Sequence, residues 1–214
     1  MLPWRYIVVE GVIGVGKTSL VKLLATATGA RVNLEVVEEN PFLANFYQDR
    51  SAYAFQTQIF FLLSRFRQQQ ALAQPELFSS LLVSDYLFAK DRIFANLNLG
   101  DDELVLYNQL AGILEDRILL PDLVIYLQAS TDLLMERINL RGRSFEQSMD
   151  RDYIENLNSA YNFFFHHYQD TPLLVVGADN LDYVGVPADL ELLVDQLREP
   201  FTGTRFFAPR AGGA

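Results

Sequence analysis

The chain has 214 residues, of which half are apolar and 21% are charged, and its formal net charge at pH 7 is −10. This length suits one α/β domain, and the acidic balance disfavours nucleic acid as a partner because it repels phosphate backbones. The absence of cysteine excludes disulfides, thiol catalysis and thiolate metal sites. No apolar run reaches the roughly 18 residues of a membrane span, and the N-terminus lacks the zones of a signal peptide. We therefore expect a cytoplasmic protein with no membrane partner.

Strands and helices alternate in the elements that the sequence predicts. Apolar runs predict five strands, at 6–11, 32–39, 79–85, 122–130 and 172–178. Apolar residues at helical spacing predict helices at 17–29, 52–70, 86–98, 101–118, 132–140, 150–168 and 187–199. This alternation predicts an α/β fold in which helices cover both faces of a parallel sheet. We expect residues 1–200 to form a single domain, followed by an irregular tail at 201–214.

The segment GVIGVGKT at 11–18 lies between the first strand and the first helix and matches the pattern G-x-x-x-x-G-K-[ST]. Glycines let backbone N–H groups turn around a phosphate, and the following helix adds its positive N-terminal end. The lysine can reach the terminal phosphates, and the threonine hydroxyl suits Mg²⁺. The segment therefore predicts a nucleoside triphosphate site. The residues expected to bind the nucleotide are Gly11, Gly14, Val15, Gly16, Lys17 and Thr18.

Asp85 and a cluster of three arginines extend this site. Asp85 ends the third predicted strand, where proteins with such a loop place a carboxylate near Mg²⁺, although an Asp there is also a common turn residue. Arg137, Arg141 and Arg143 lie together in the segment RINLRGR. Phosphoryl transfer needs positive charge over the transferred group, and a solvated helix end is the alternative. We predict that these arginines act in catalysis with Lys17 and Asp85, and that Thr18 and Asp85 hold the metal.

The carboxylates of the segment LEVVEENPFL bear on the nature of the phosphate acceptor. Glu35, Glu38 and Glu39 would repel an anionic monophosphate, whereas a neutral alcohol benefits from a carboxylate that orients it or accepts its proton. The Asn-Lys-x-Asp segment that reads guanine in a regulatory GTPase is missing, and Asp85 does not open an Asp-x-x-Gly metal strand. We therefore expect a small-molecule kinase whose acceptor is an alcohol.

Five segments, in this order, resemble the deoxynucleoside kinase family, and most closely its bacterial deoxyguanosine and deoxyadenosine kinases. They are EGVIGVGKT, EVVEENPFLANFY, FQTQIFFLLSRFR, SDYLFAKDRIFA and RINLRGRSFEQ. The resemblance implies a P-loop NTPase-type fold with a five-stranded parallel sheet and a short arginine-bearing lid near 141–150. It also implies ATP and Mg²⁺ as cofactors and a homodimer formed through helices.

The resemblance assigns roles to individual side chains. It makes Glu35 the general base that contacts the sugar 5′-hydroxyl, and it makes Arg137, Arg141 and Arg143 lid arginines. The residues that it assigns to deoxynucleoside binding are Glu35, Tyr47, Gln58, Arg65, Asp91 and Glu146. Gln58 and Arg65 are seven residues apart and would therefore project from one helix face, a spacing that supports the assignment.

One position departs from the family pattern. Many members carry an Arg directly after the carboxylate of the third strand, whereas this chain has Tyr86, and Arg92 is a candidate replacement. This departure resembles some bacterial deoxyguanosine kinases and favours a purine. We expect phosphorylation of the 5′-hydroxyl of a purine 2′-deoxynucleoside in nucleoside salvage. A deoxycytidine or broad-specificity kinase is the alternative, and a nucleoside monophosphate kinase is a further one.

Overall fold

The structure, a computed structural model, describes residues 2–37, 39–72, 81–143, 146 and 149–209. Within these ranges, six strands form one parallel sheet in the order β2-β3-β1-β4-β5-β6. The strands are β1 (Tyr6–Gly11), β2 (Arg31–Asn33), β3 (Leu82–Ser84), β4 (Leu123–Gln128), β5 (Leu173–Gly177) and β6 (Thr204–Phe207). The predicted α/β class and parallel sheet are therefore confirmed, with one strand more than the five expected.

The sixth strand lies in the tail that we predicted to be irregular, and for residues 204–207 that prediction is wrong. β6 pairs in parallel with the outer edge of β5, with Val175 opposite Phe206 and Val176 opposite Phe207. Its residues alternate between exposed and half-buried, as a strand with one covered face requires. The strand exists because it satisfies the backbone of an edge that would otherwise face solvent.

The second strand is shorter than predicted and ends at Asn33. Its partner β3 ends at Ser84, the residue that pairs with Asn33, so the two strands end together. The backbone N–H of Glu35 instead donates to Oδ1 of Asp85 at 2.7 Å. Residue 38 and residues 79–80 of the predicted second and third strands lie outside the described residues. The chain thus leaves the sheet just before Glu35, and Asp85 fixes the backbone of Glu35 there.

The seven predicted helices are present among the described residues with ends shifted by up to five residues, and a further short helix at Leu43–Gln48 was not predicted. They are α1 (Lys17–Thr28), α2 (Leu43–Gln48), α3 (Arg50–Leu72), α4 (Asp91–Asn98), α5 (Asp101–Glu115), α6 (Thr131–Arg141), α7 (Arg151–His166) and α8 (Pro187–Gln196). The helix predicted at 86–98 begins only at Asp91, after a 3₁₀ turn at Phe88–Lys90. Ser130 caps α6, since its Oγ accepts a hydrogen bond from the backbone N–H of Leu133 at 3.4 Å.

The strand order places the functional residues at one edge of the sheet. The chain moves outward from β1 to β2 and later to the other side through β4 and β5, so right-handed crossovers cover both faces with helices. Parallel sheets of this kind open a crevice at the carboxyl ends of the strands where the order reverses. The loop after β1 and the residue after β3 therefore meet there. Within the described ranges, no helix is both long and apolar enough to cross a membrane.

Candidate active site

The loop between β1 and α1 takes the conformation that its glycines permit. Gly14 and Gly16 have φ angles of +88° and +104°, which side chains of L-residues rarely adopt. A Cβ atom on Gly14 would lie 2.9 Å from the backbone oxygen of Leu134. A Cβ atom on Gly16 would collide with the hydroxyl of Tyr183. The loop therefore takes a conformation that favours glycine at these positions, and helix α6 and the segment after β5 pack directly against it.

Two side chains hold this loop from behind. Arg137 Nη1 donates to the backbone oxygen of Val15 at 2.7 Å, and the Tyr183 hydroxyl donates to the same oxygen at 3.2 Å. Arg137 also lines the cavity in front of the loop. Tyr183 was not predicted from the sequence, because its segment carries no phosphate-binding pattern. Only the packing of the β5–α8 connection over Gly16 reveals it.

Lys17 points its ammonium group back at the loop. Its Nζ donates to the backbone oxygens of Gly11 at 2.7 Å and Val12 at 3.2 Å. Burial lowers the pKa of Lys17 to about 8, against the opposing attraction of Glu10, Glu35 and Asp85. The two carbonyl contacts are partners that a phosphate oxygen could replace with a stronger, charge-assisted bond.

Thr18 and Asp85 meet at the front of the loop. The Thr18 hydroxyl donates to Oδ2 of Asp85 at 2.6 Å, so two hard oxygen ligands lie side by side. Among the described residues, no group of three or more His, Cys, Asp or Glu side chains is suited to a metal ion. This donor set fits Mg²⁺, which commonly takes one or two protein oxygens and completes its shell with phosphate and water.

Glu35 is held by two cations, one at each carboxylate oxygen. Arg65 Nε donates to Oε1 at 2.8 Å, and Arg65 Nη2 contacts the same oxygen. Lys90 Nζ donates to Oε2 at 2.7 Å. Burial alone would raise the pKa of Glu35, but Arg65 and Lys90 outweigh it and hold the pKa well below that of an ordinary carboxyl group. Glu35 is therefore an oriented carboxylate at neutral pH.

Glu10 and Lys90 are two buried charged residues that the sequence reasoning missed. The Glu10 carboxylate is fully buried and accepts from the backbone N–H groups of Gly11 at 2.9 Å and Leu87 at 2.8 Å. Lys90 Nζ lies 3.5 Å from Oε1 of Glu10. A signal was present in the sequence, because a carboxylate inside the apolar strand YIVVEG must have buried partners.

Arg92, the predicted replacement for the family's missing Arg, lies elsewhere. Its Nε donates to Oε1 of Glu115 on α5 at 2.7 Å, and nearly half of its side chain is exposed to solvent. It is not among the residues that line the cavity, whereas Lys90 is. Because α4 begins at Asp91, Lys90 at the preceding turn faces the site and Arg92 faces the neighbouring helix.

Gln58, Arg65 and Asp91 come together at the deep end of the cavity. All three are buried, and Arg65 Nη1 forms an ion pair with Asp91 Oδ1. Within the described part of the chain, Oε1 of Gln58 and Oδ2 of Asp91 have no hydrogen-bond partner. Buried polar atoms without partners are costly, so Oε1 of Gln58, which lines the cavity, favours a polar ligand at this end. Gln58 and Arg65 line the cavity, whereas Asp91 is not among the lining residues and contacts Arg65.

The side chains assigned to the sugar and the lid form a second group. Glu146 is buried and accepts from Arg141 Nε at 3.1 Å, while Arg143 Nη1 lies 3.8 Å from Glu146 Oε1. Tyr47 lines the same cavity as these three residues. Residues 144, 145, 147 and 148 of the predicted lid lie outside the described residues. Two lid arginines thus contact the carboxylate predicted to bind the sugar.

A single cavity of about 740 Å³ connects the phosphate loop with the Glu35 carboxylate and the deep polar end. The residues predicted from the sequence that line it are Gly14, Gly16, Lys17, Thr18, Glu35, Tyr47, Gln58, Arg65, Asp85, Arg137, Arg141, Arg143 and Glu146. Its volume is in the range of sites that enclose a small organic ligand. The structure therefore places these predicted side chains around one cavity, whereas the predicted residues Gly11, Val15 and Asp91 do not line it.

Comparisons with known proteins agree with this architecture. Residues 7–201 match the family described as "Deoxynucleoside kinase". The chain is 33% identical to a deoxyguanosine kinase of Bacillus subtilis, covering 91% of this chain and 96% of that one. It is 31% identical to a deoxyadenosine/deoxycytidine kinase of the same organism, covering 89% and 90%. A solved structure of deoxyadenosine kinase from M. mycoides with bound dATP superposes with a TM-score of 0.79 at 30% identity, covering 91% and 100%. The chain therefore belongs to the deoxynucleoside kinase family and is an enzyme of that class.

Proposed function

We propose that the protein transfers the γ-phosphoryl group of ATP to the 5′-hydroxyl of a purine 2′-deoxynucleoside, with Glu35 contacting that hydroxyl. The observation that carries this proposal is a short chain of contacts between the phosphate loop and the acceptor carboxylate. Thr18 bonds Asp85 at 2.6 Å, and Asp85 bonds the backbone N–H of Glu35 at 2.7 Å. A triphosphate on the loop and a hydroxyl at Glu35 would therefore be neighbours.

Glu35 orients the hydroxyl and takes its proton late in the reaction. A carboxylate whose pKa is held low is a weak base toward an alcohol. Phosphoryl transfer commonly passes through a loose transition state, which demands little deprotonation of the nucleophile early on. The carboxylate can then accept the proton as the new O–P bond forms and the hydroxyl becomes acidic. Orientation of the acceptor is therefore the main contribution of Glu35.

The triphosphate is held by the loop and by the arginines of α6. Lys17 and the backbone N–H groups of the loop would neutralise phosphate charge, and Arg137, which contacts Val15 of the loop and lines the cavity, would add to it. We propose that Arg141 and Arg143 turn from Glu146 to the phosphates when the nucleotide binds. Thr18 and Asp85 would hold Mg²⁺, which supplies charge neutralisation between the phosphates when bound.

We propose that the nucleobase binds at the deep polar end, next to Gln58 and Arg65. The sugar would then contact Tyr47 and Glu146. Gln58 lines the cavity and offers a donor and an acceptor to the N–H groups and acceptor atoms of the base, while Asp91 holds Arg65 beside it through an ion pair and so helps to read the base. Adenine and guanine both present such N–H groups next to acceptor atoms, so a purine fits this end. Cytosine has an amino group beside an acceptor as well, so a deoxycytidine or broad-specificity kinase is the second candidate. The names of the two Bacillus subtilis relatives cover all three bases.

A phosphorylation panel tests the proposed reaction. It measures ATP-dependent turnover with the four deoxynucleosides, the matching ribonucleosides and the 5′-monophosphates. We expect deoxyguanosine or deoxyadenosine to give the highest kcat/KM and the monophosphates to give no turnover. Fastest turnover of deoxycytidine would favour the second candidate. Turnover of monophosphates without turnover of nucleosides would overturn the proposal.

We also propose that the protein is a homodimer formed through α5. Leu106, Leu110 and Ile113 are exposed on this helix at a spacing that places them on one face, and Val105 lies beside them. Ile113 is 63% exposed, which is unusual for a large apolar side chain without a partner. Sedimentation velocity should show a dimer, and Ile113→Glu should shift it to a monomer. A wild-type monomer at micromolar concentration would contradict this.

The cytoplasmic location stays a prediction.

A further inference from the structure

A buried lysine lies between two carboxylates at the carboxyl edge of the sheet. The Lys90 side chain is 3% exposed, and its Nζ lies 2.7 Å from Oε2 of Glu35 and 3.5 Å from Oε1 of Glu10. Both carboxylates are themselves buried or nearly so. A buried ammonium group destabilises the fold unless close anionic partners compensate for the loss of its hydration.

Among the described residues that follow β3, Lys90 is the one that supplies this charge. Tyr86, directly after Asp85, is fully buried and neutral, and the centroid of its ring lies 6.0 Å from Lys90 Nζ. Arg92 is paired with Glu115 on the outer side of α4. The ring of Tyr86 therefore packs near the ammonium group but supplies no positive charge of its own. From the turn just before α4, the Lys90 side chain extends to the carboxylates of Glu10 and Glu35.

In the described part of the chain, Lys90 is one of two cations that face the three carboxylates Glu10, Glu35 and Asp91. Arg65 is shared between Oε1 of Glu35 and Oδ1 of Asp91, and Lys17 is bonded to the carbonyls of its own loop. Within the described ranges, Lys90 is then the cation that remains for Oε2 of Glu35 and for Glu10. Its removal would leave one carboxylate oxygen of Glu35 without its cationic partner and would leave Glu10 buried without its countercharge.

We propose that Lys90 is a positioning residue for phosphoryl transfer, which fixes the Glu35 carboxylate toward the acceptor hydroxyl and supplies the cation that Tyr86 does not. This inference rests on the proposed role of Glu35. Arg65 holds one carboxylate oxygen and Lys90 the other, so the carboxylate plane cannot rotate freely. Two fixed points leave the remaining lone pairs in one defined direction, as a preorganised catalytic group requires.

The anchor of Lys90 ties this arrangement to the phosphate loop. Glu10 is fixed by the backbone N–H groups of Gly11, where the loop begins, and of Leu87, just before the turn that carries Lys90. The same carboxylate therefore sets the start of the phosphate loop and the position of the ammonium group. Through Lys90, the acceptor carboxylate is placed relative to the site of the donor phosphates.

The first test compares Lys90→Met with Arg92→Met. Methionine keeps most of the length and volume of lysine without its charge, and the Arg92 variant removes a nearby exposed charge. We expect Lys90→Met to lower kcat by about 10- to 100-fold, as for other residues that orient a catalytic group. The KM values for ATP and the deoxynucleoside should stay within about threefold, since Lys90 acts through Glu35. Arg92→Met should retain wild-type kcat. A kcat of Lys90→Met within threefold of wild type would overturn the proposal.

The second test separates the charge from the packing and covers a Met variant that does not fold. The chain contains no cysteine, so a Lys90→Cys variant can be alkylated at that position alone while unfolded and then refolded. Alkylation with 2-bromoethylamine restores an ammonium group at nearly the original reach, and 1-bromopropane gives a neutral side chain of the same size. We expect the two products to bind the deoxynucleoside equally and only the aminoethyl product to recover kcat.

The other possible results with the two alkylated products also decide whether Lys90 is a positioning residue. Equal kcat for the two refolded products would overturn the proposal. If neither neutral variant folds while the aminoethyl product does, Lys90 serves the fold as the partner of Glu10, and the positioning role is also overturned. Wild-type turnover of deoxynucleosides is measured first in every series. Its absence would refute the proposed function itself, whereas an active wild type with an equally active Lys90→Met would refute only the role of Lys90.

Discussion

Replacement of Glu35 by glutamine tests the proposed acceptor site most directly. Both carboxylate oxygens accept from cations, Oε1 from Arg65 and Oε2 from Lys90. An amide has one oxygen and one NH₂ group, so in the variant Glu35→Gln either orientation of the amide points a donor at a cation. The variant therefore loses the negative charge and one of the two contacts that fix the group.

The expected loss follows from these contacts. A positioned carboxylate that orients the acceptor and takes its proton contributes about 10²- to 10⁴-fold. We expect Glu35→Gln to lower kcat by at least about 100-fold, which corresponds to about 2.7 kcal/mol of transition-state stabilisation. The melting temperature should also fall, because buried Arg65 and Lys90 lose their shared anion.

Single-turnover phosphorylation with enzyme in excess over the deoxynucleoside measures the chemical step, and circular dichroism confirms the fold. Glu39→Gln is the matched control, because Glu39 is exposed and should leave kcat within threefold of wild type. The corresponding prediction for Glu38 concerns a residue outside those described. A Glu35→Gln enzyme that keeps more than a third of the wild-type rate would refute the assignment, as would a Glu39→Gln variant that is the slower of the two.

Three further predictions concern the loop and the sheet. Lys17→Ala should abolish turnover while the circular dichroism spectrum stays unchanged, and substantial residual activity would remove Lys17 from the phosphate site. Gly16→Ala should lower both the melting temperature and ATP affinity, since its Cβ would collide with the Tyr183 hydroxyl. In a Tyr183→Phe background the loss of stability should be smaller, and an equal loss would point to backbone strain alone. Truncation after residue 203 removes β6 and should lower the melting temperature, because the edge of β5 loses its partner; an unchanged value would contradict the role given to β6.

Local patterns were sufficient for the elements whose geometry depends on nearby residues. The glycines and Lys17 of the phosphate loop occur at a fixed spacing, and such a turn needs the same spacing in any chain. The strands β1, β4 and β5 are continuous apolar runs, which only a buried strand of a parallel sheet explains well. Gln58 and Arg65 share a face because a helix repeats every 3.6 residues.

Pairing between distant segments decided what these patterns missed. The end of β2 depends on the length of β3, some 50 residues later, and on the Asp85 side chain that captures the N–H of Glu35. The strand β6 forms because β5 has a free edge. The sequence of β6 alone does not predict this pairing.

The sequence by itself determined the nucleotide loop, the alternation of strands and helices and the residue types that a neutral acceptor needs. The tertiary structure alone decided which cation meets Glu35. A charge at position 90 or 92 is equally visible in the sequence, but the start of α4 turns Lys90 toward Glu10 and Glu35 and turns Arg92 toward Glu115. The physical reason is that burial selects the cation with partners in the low-dielectric interior and leaves the other at the surface.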